Sequence, residues 1–202
     1  MKLPLVVAIT GASGAVYGVR LLEVLLHSGY DIHLTISPSG KEVIAQELKR
    51  QINLEDFRLD SLLDIAAFSG SLHYHHHTNF LSPIASGSYL TGGMVICPCS
   101  GSTLSAVVYA SGNNLIHRAA DVHLKERRRL ILVPRETPLS VRQLENMRQA
   151  CEAGAVVLPA APGWYHGVKS LQDLVDFIVA RILDQLSIPH TLMKRWGEGS
   201  SL

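Results

Sequence analysis

The chain carries little charge. Asp, Glu, Lys and Arg make up 17% of its 202 residues, and the formal net charge is +1. A chain so close to neutral has no bulk attraction for nucleic acid or for acidic membranes, although a local basic cluster still suffices to hold a phosphate. Cysteine is scarce too: Cys97, Cys99 and Cys151 make no disulfide framework, and Cys97-Pro98-Cys99 lacks a second pair of metal ligands. Reduced, mostly buried thiols in a cytoplasmic protein are expected. No apolar run approaches the ~20 residues of a membrane span. The opening MKLPLVVAITGASG has one Lys and a short apolar run but no small-residue cleavage site, so it reads as a first strand and not a signal peptide. Internal repeats and low-complexity linkers are missing, which leaves one domain of ordinary α/β size. Apolar residues are plentiful, at 47%. That excess implies some surface buried between subunits.

Short apolar strands alternate with amphipathic helices. Strands are expected at Leu5–Thr10, Asp31–Ile36, Met94–Cys97, Leu130–Val133 and Ala155–Leu158, with a poorly patterned one near Leu62–Phe68. Helices are expected at Val16–His27, from Pro38 to about Arg50, and at Ser100–Tyr109, Arg118–Arg128, Val141–Ala153 and Leu171–Leu186. The order predicts a three-layer, doubly wound parallel sheet, in which ligands bind beyond the carboxyl ends of the strands.

Four turns therefore matter. Gly11-Ala12-Ser13-Gly14 lets the backbone approach a ligand and points N–H groups at an anion; it is also compatible with a plain tight turn. Ser37 stands before Pro38 as a helix cap. Ser100, Gly101, Ser102 and Thr103 combine hydroxyls and a glycine at a helix start, as a phosphate nest or an ordinary cap. Between Pro134 and Pro138, Arg135 and Glu136 offer a bidentate phosphate grip beside a proton carrier, or a surface ion pair. Arg118 and Lys125, seven apart on one helix, suit a solvated face, with Asp121 between them. Arg181 borders an apolar stripe and needs a partner, carboxylate or bound anion. Tyr165 and His166 follow the last strand. His75-His76-His77 reads as a polar, exposed loop, because consecutive histidines diverge and rarely build one tetrahedral metal site.

The segments TGASGA (Thr10–Ala15), ASGS (Ala85–Ser88), ICPCS (Ile96–Ser100), NNLIHRAADVHLKERR (Asn113–Arg128), LVPRETPLS (Leu132–Ser140), LPAAPGWYH (Leu158–His166), LVDFIVARILD (Leu174–Asp184) and RWGE (Arg195–Glu198) resemble the flavin prenyltransferases, the UbiX-like family. The resemblance spans Val6 to Glu198, weakest around 50–80. Where relatives often have CSTGT, this chain has Cys99-Ser100-Gly101-Ser102-Thr103. It implies a single flavodoxin-like (Rossmann-like) domain, a tail from about 187 closing a site, and a homo-oligomer, usually a dodecamer, with FMN at subunit contacts.

It further implies an enzyme that transfers a dimethylallyl group from dimethylallyl monophosphate to N5 and C6 of reduced FMN, without a metal, for a separate decarboxylase. By resemblance Gly11, Ala12, Ser13, Ser37, Ser100, Gly101, Ser102, Thr103 and Arg135 hold FMN. Tyr165 and Arg181 hold the donor's phosphate, with Arg118 and Lys125 near it and Lys125 from a neighbouring subunit. Glu136 moves the proton, helped by Ser13 and Glu47. Trp196 closes the prenyl pocket, which Ala85 and Ser86 also line. The rival group, flavin-dependent cysteine decarboxylases, carries a PxMNxxMW segment that this chain lacks. A non-catalytic FMN-binding subunit would need the phosphate turns but not Glu136, Tyr165 and Arg181 together.

Overall fold

The computed structural model describes residues 2–64 and 67–195. Six parallel strands form one sheet: β1 (Leu5–Ile9), β2 (Asp31–Ile36), β3 (Ser71–Tyr74), β4 (Gly93–Cys99), β5 (Leu130–Pro134) and β6 (Val156–Val157), in the order β3-β2-β1-β4-β5-β6. Without the short edge strand β3, the order is that of a flavodoxin-like sheet. Strands β1, β4 and β5 are buried along their whole length, as continuous apolar runs require when both faces are covered.

Helices α1 (Ala15–His27), α2 (Pro38–Leu48) and α6 (Leu171–Gln185) supply Leu21, Leu22, Ile44, Ile178 and Ile182 to the core on one face. Helices α3 (Gly101–Val108), α4 (Leu115–Lys125) and α5 (Val141–Glu152) supply Leu104, Ile116, Ala119 and Ala150 to the core on the other. This is the expected three-layer, doubly wound α/β domain. The order reverses between β1 and β4, so a crevice opens where the turns after these two strands diverge.

Helix starts follow the local chemistry. Ser37, Ser100, Asn114, Ser140 and Ser170 each accept a backbone N–H three residues on. Asn114 starts α4 three residues before the expected position, because its side chain accepts from His117 N at 3.0 Å and Leu115 and Ile116 then enter the core.

Two expectations need correction. No strand forms among the described residues of 62–68. Leu62 and Leu63 are adjacent and both fully buried, but they pair with no neighbouring strand; they plug the core from a turn after a short 3-10 helix at Leu59–Ser61. The strand lies instead at Ser71–Tyr74, pairing Leu72 with Ile32 and Tyr74 with Leu34. Nor is His75–His77 an exposed loop: all three are half-buried. His75 Nε2 lies 2.7 Å from Nδ1 of the buried His33, whose Nε2 lies 2.8 Å from the Tyr89 hydroxyl. Burial and the neighbouring imidazoles of His75 and His73 lower the His33 pKa to about 4.

Candidate functional site

The turns after β1, β2, β4 and β5 meet at the carboxyl edge of the sheet, and hydrogen bonds join them. Thr10, fully buried at the end of β1, donates its hydroxyl to the Pro98 carbonyl at 2.8 Å and accepts Ser100 N at 2.8 Å. One side chain thereby fixes where α3 begins relative to the first turn. Gly11 makes the next turn possible: a Cβ there would sit 2.5 Å from Ser39 Cβ, at the start of α2. Gly14 takes φ 109°, a left-handed conformation that only glycine adopts freely, and from it α1 begins.

Two of the N–H groups at the start of α1 are not open to a ligand. Those of Gly14 and Ala15 donate to Glu47 Oε2 at 3.0 and 2.9 Å, so a carboxylate already occupies this positive helix end. The arrangement carries Glu47 from α2 to the turn that holds Ser13. The start of α3 differs. Ser100 Oγ accepts Thr103 N and lies 3.1 Å from Ser102 Oγ and 3.0 Å from Thr103 Oγ1. Among the described residues, the N–H groups of Gly101 and Ser102 find no acceptor. Two free amides, three hydroxyls and a helix N-terminus are a donor set suited to a phosphate.

Arg135 and Glu136 do not pair with each other. Arg135 Nε donates to the Ser13 carbonyl at 3.3 Å, reaching across from β5 to the first turn. Glu136 Oε2 accepts from Gln143 Nε2 at 3.2 Å. Tyr17 stands within this group. Burial raises its phenol above the ordinary value, Cys97 and Glu47 add to the rise and Arg135 opposes it. The cysteines behind the crevice are inert: burial pushes Cys99 up to about 12 and Cys97 higher still, while Cys151 lies exposed on α5.

Tyr165 belongs to the loop after β6. Its ring lies edge-on to Phe177 at 5.9 Å, and Arg181 follows Phe177 by one turn of α6. The partner that Arg181 needs is a carboxylate: Nη1 donates to Asp184 Oδ2 at 2.8 Å. Asp184 also accepts from Arg195 and lies 3.1 Å from His190, which ties α6 to the tail. Burial acts to raise the Asp184 pKa, and the bonds from Arg195 and His190 outweigh it and hold it below the ordinary value. Residues 190–195 of this tail and His166, Gly167, Lys169 and Asp173 border a cavity of about 590 Å³. Trp196 lies outside the described residues.

Ala85, Ser86, Arg118 and Lys125 form a separate group on the α4 side of the sheet. Arg118 Nε donates to the Ala85 carbonyl at 3.0 Å and Nη1 pairs with Asp121 at 2.9 Å, while Lys125 pairs with Glu126. Arg181 is on the α6 side. The three layers separate the two helices by roughly 20 Å, beyond the reach of two side chains toward one phosphate. One chain therefore brings together Ser13, Glu47, Ser100–Thr103, Arg135 and Glu136 through their turns, while the sheet stands between Arg181 and the pair Arg118 and Lys125.

The residue pattern missed Thr10, Tyr17 and Gln143. Thr10 ends the first apolar run and reads as strand. Gln143 stands in Ser140-Val141-Arg142-Gln143, a capping-box spacing, and that signal says nothing about the carboxylate it also reaches.

Residues 1–183 match the model of the Flavoprotein family. The flavin prenyltransferase UbiX of Pseudomonas aeruginosa is 49% identical over 193 residues, covering 95% of this chain and 92% of the relative. That of Halalkalibacterium halodurans is 47% identical over 192 residues, with the same coverages. A crystal structure of AnUbiX (PadA1) in complex with FMN and dimethylallyl pyrophosphate superposes with a TM-score of 0.86 at 36% identity, covering 99% of this chain and all of the other. A dodecameric FMN-dependent UbiX-like decarboxylase from Escherichia coli O157:H7 gives 0.80 at 37% identity, covering 94% and 97%. The cysteine decarboxylase TvaF, at 15% identity and a TM-score of 0.60, shares the fold.

Proposed function

Since this chain belongs to the UbiX-type flavin prenyltransferases of the Flavoprotein family, we propose that it transfers a dimethylallyl group from dimethylallyl monophosphate to N5 and C6 of reduced FMN, and that a separate decarboxylase takes up the product. The supporting observation is the convergence of Ser13, Glu47, Ser100–Thr103, Arg135 and Glu136 on one crevice, joined by hydrogen bonds between four turns.

The free amides of Gly101 and Ser102, with the hydroxyls of Ser100, Ser102 and Thr103, fit the phosphate of FMN. Gly11, Ala12, Ser13, Ser37 and Arg135 complete its binding. Bound and reduced, FMN supplies the nucleophilic positions. Tyr165 and Arg181 receive the donor's phosphate, and the breaking carbon–oxygen bond leaves negative charge there, where preplaced cations and donors stabilise it most. The developing allylic cation favours apolar and aromatic walls and a dry pocket, roles that fall to Ala85, Ser86 and Trp196. Glu136 removes the proton released as the new ring closes, with Ser13 and Glu47 beside it.

Arg118 and Lys125 stand on the opposite layer from Arg181, which supports a site completed by a neighbouring copy in a homo-oligomer of the dodecameric kind. Among the described residues no helix is long and apolar enough to cross a membrane; we place the enzyme in the cytoplasm because its cysteines are sparse and unpaired. Glu136→Gln tests the reading. Lost prenyl transfer with retained FMN supports an enzyme in which Glu136 carries the proton; unchanged turnover rejects that role. A wild-type chain that binds FMN without turnover favours the non-catalytic alternative.

A further inference from the structure

Gln143 does more than cap a helix. Its Oε1 accepts from Ser140 N at 2.9 Å and lies 3.0 Å from Ser140 Oγ, which in turn accepts Gln143 N at 3.2 Å. With both donors on Oε1, the amide orientation is fixed and Nε2 must face away from the cap. There it donates to Glu136 Oε2 at 3.2 Å. Nε2 also passes beside Gly101, where a Cβ would lie 3.4 Å from it. The amide thus stands between the carboxylate after β5 and the start of α3 after β4. Among the described residues no other group donates to the Glu136 side chain. A glutamate would serve the cap equally well, since a capping box needs only an acceptor at this position. The nitrogen is therefore surplus to the cap, and its bond to Glu136 needs another reason.

We propose that Gln143 is a positioning residue for proton transfer: it holds Glu136 Oε2, so that Oε1 faces the crevice and accepts the proton. The role rests on the reading of Glu136 given above. It adds a residue that acts through Glu136 without touching either substrate.

Gln143→Glu separates the two tasks, since it keeps the capping acceptor and replaces the donor by an oxygen. Wild type, Gln143→Glu and Ser140→Ala are compared for melting temperature, FMN binding and steady-state prenylation across pH. The expected result for Gln143→Glu is a melting temperature lowered by no more than a few degrees, because the new carboxylate faces Glu136, and FMN affinity reduced no more than about fivefold, because it also stands beside Gly101. Its kcat falls roughly tenfold to a hundredfold, the loss of one charge-assisted bond, while KM for the donor holds. Two facing carboxyls then share one proton in acid, which restores a donor, so the variant regains activity as pH falls. Ser140→Ala lowers the melting temperature by removing a cap and keeps kcat within about threefold. Wild-type kcat for Gln143→Glu at every pH, or a loss that follows the melting temperature, overturns the role. A wild-type protein that makes no prenylated flavin removes the reading of Glu136, and this role with it.

Discussion

Thr10→Val replaces a hydroxyl by a methyl of nearly the same size at a fully buried position. The change leaves packing intact and deletes two hydrogen bonds, one donated to the Pro98 carbonyl and one accepted from Ser100 N, each 2.8 Å long. The carbonyl keeps a second donor in Thr10 N at 3.2 Å, so its loss is modest, about 1 kcal/mol. Ser100 N is left without an acceptor, which costs about 1–3 kcal/mol. The sum is roughly 2–4 kcal/mol, and for a domain of this size it lowers the melting temperature by about 4–16 °C. Because Ser100 caps α3, FMN affinity should fall as well. Urea unfolding with and without FMN measures both effects, at fixed protein concentration so that assembly does not intrude. Thr10→Ser keeps the hydroxyl and should lose much less. If Thr10→Val matches wild type within ~0.5 kcal/mol, Thr10 does not join the two turns and the account of the crevice fails.

Gly11→Ala forces a Cβ to within 2.5 Å of Ser39 Cβ and should cost about 1–3 kcal/mol, with weaker FMN binding, measured by thermal melting and flavin titration. His33 binds its proton less readily folded than unfolded, so stability should be complete above the ordinary histidine value of 6.5 and fall as pH drops toward about 4; urea midpoints across that window should show a slope that His33→Phe flattens. Arg181→Ala and Lys125→Ala should each abolish turnover. Mixing the two after dissociation should restore part of it, because some reassembled sites then draw one intact residue from each copy; no recovery in reassembled oligomers would place both residues in one chain's site.

Much of the fold was legible because its strands are buried on both faces and its helices are striped: Leu5–Ile9, Asp31–Ile36 and Leu130–Pro134 stand within a residue of their expected bounds. The failure at β3 has a cause. Leu72 and Tyr74 alternate with Ser71 and His73, a usable two-residue period, but Leu62 and Leu63 are the more apolar pair and drew the assignment upstream. The site turns were legible because ligand edges in this architecture follow strand ends. Which donors stay free was not. Nothing local says that Glu47, 33 residues from Gly14, fills the α1 terminus while α3 keeps its amides open. Arg181 had two admissible partners by pattern; Asp184 stands three residues on in α6, a spacing legible in the sequence, and what the fold adds is that His190 and Arg195 of the tail share that carboxylate.

The most direct measurement is the mass of the flavin released after the reduced FMN-loaded protein has met dimethylallyl monophosphate, with the pyrophosphate in a parallel arm. An added five-carbon unit is expected with the monophosphate. Unmodified FMN in both arms, from protein shown to be folded and reduced, would contradict the account.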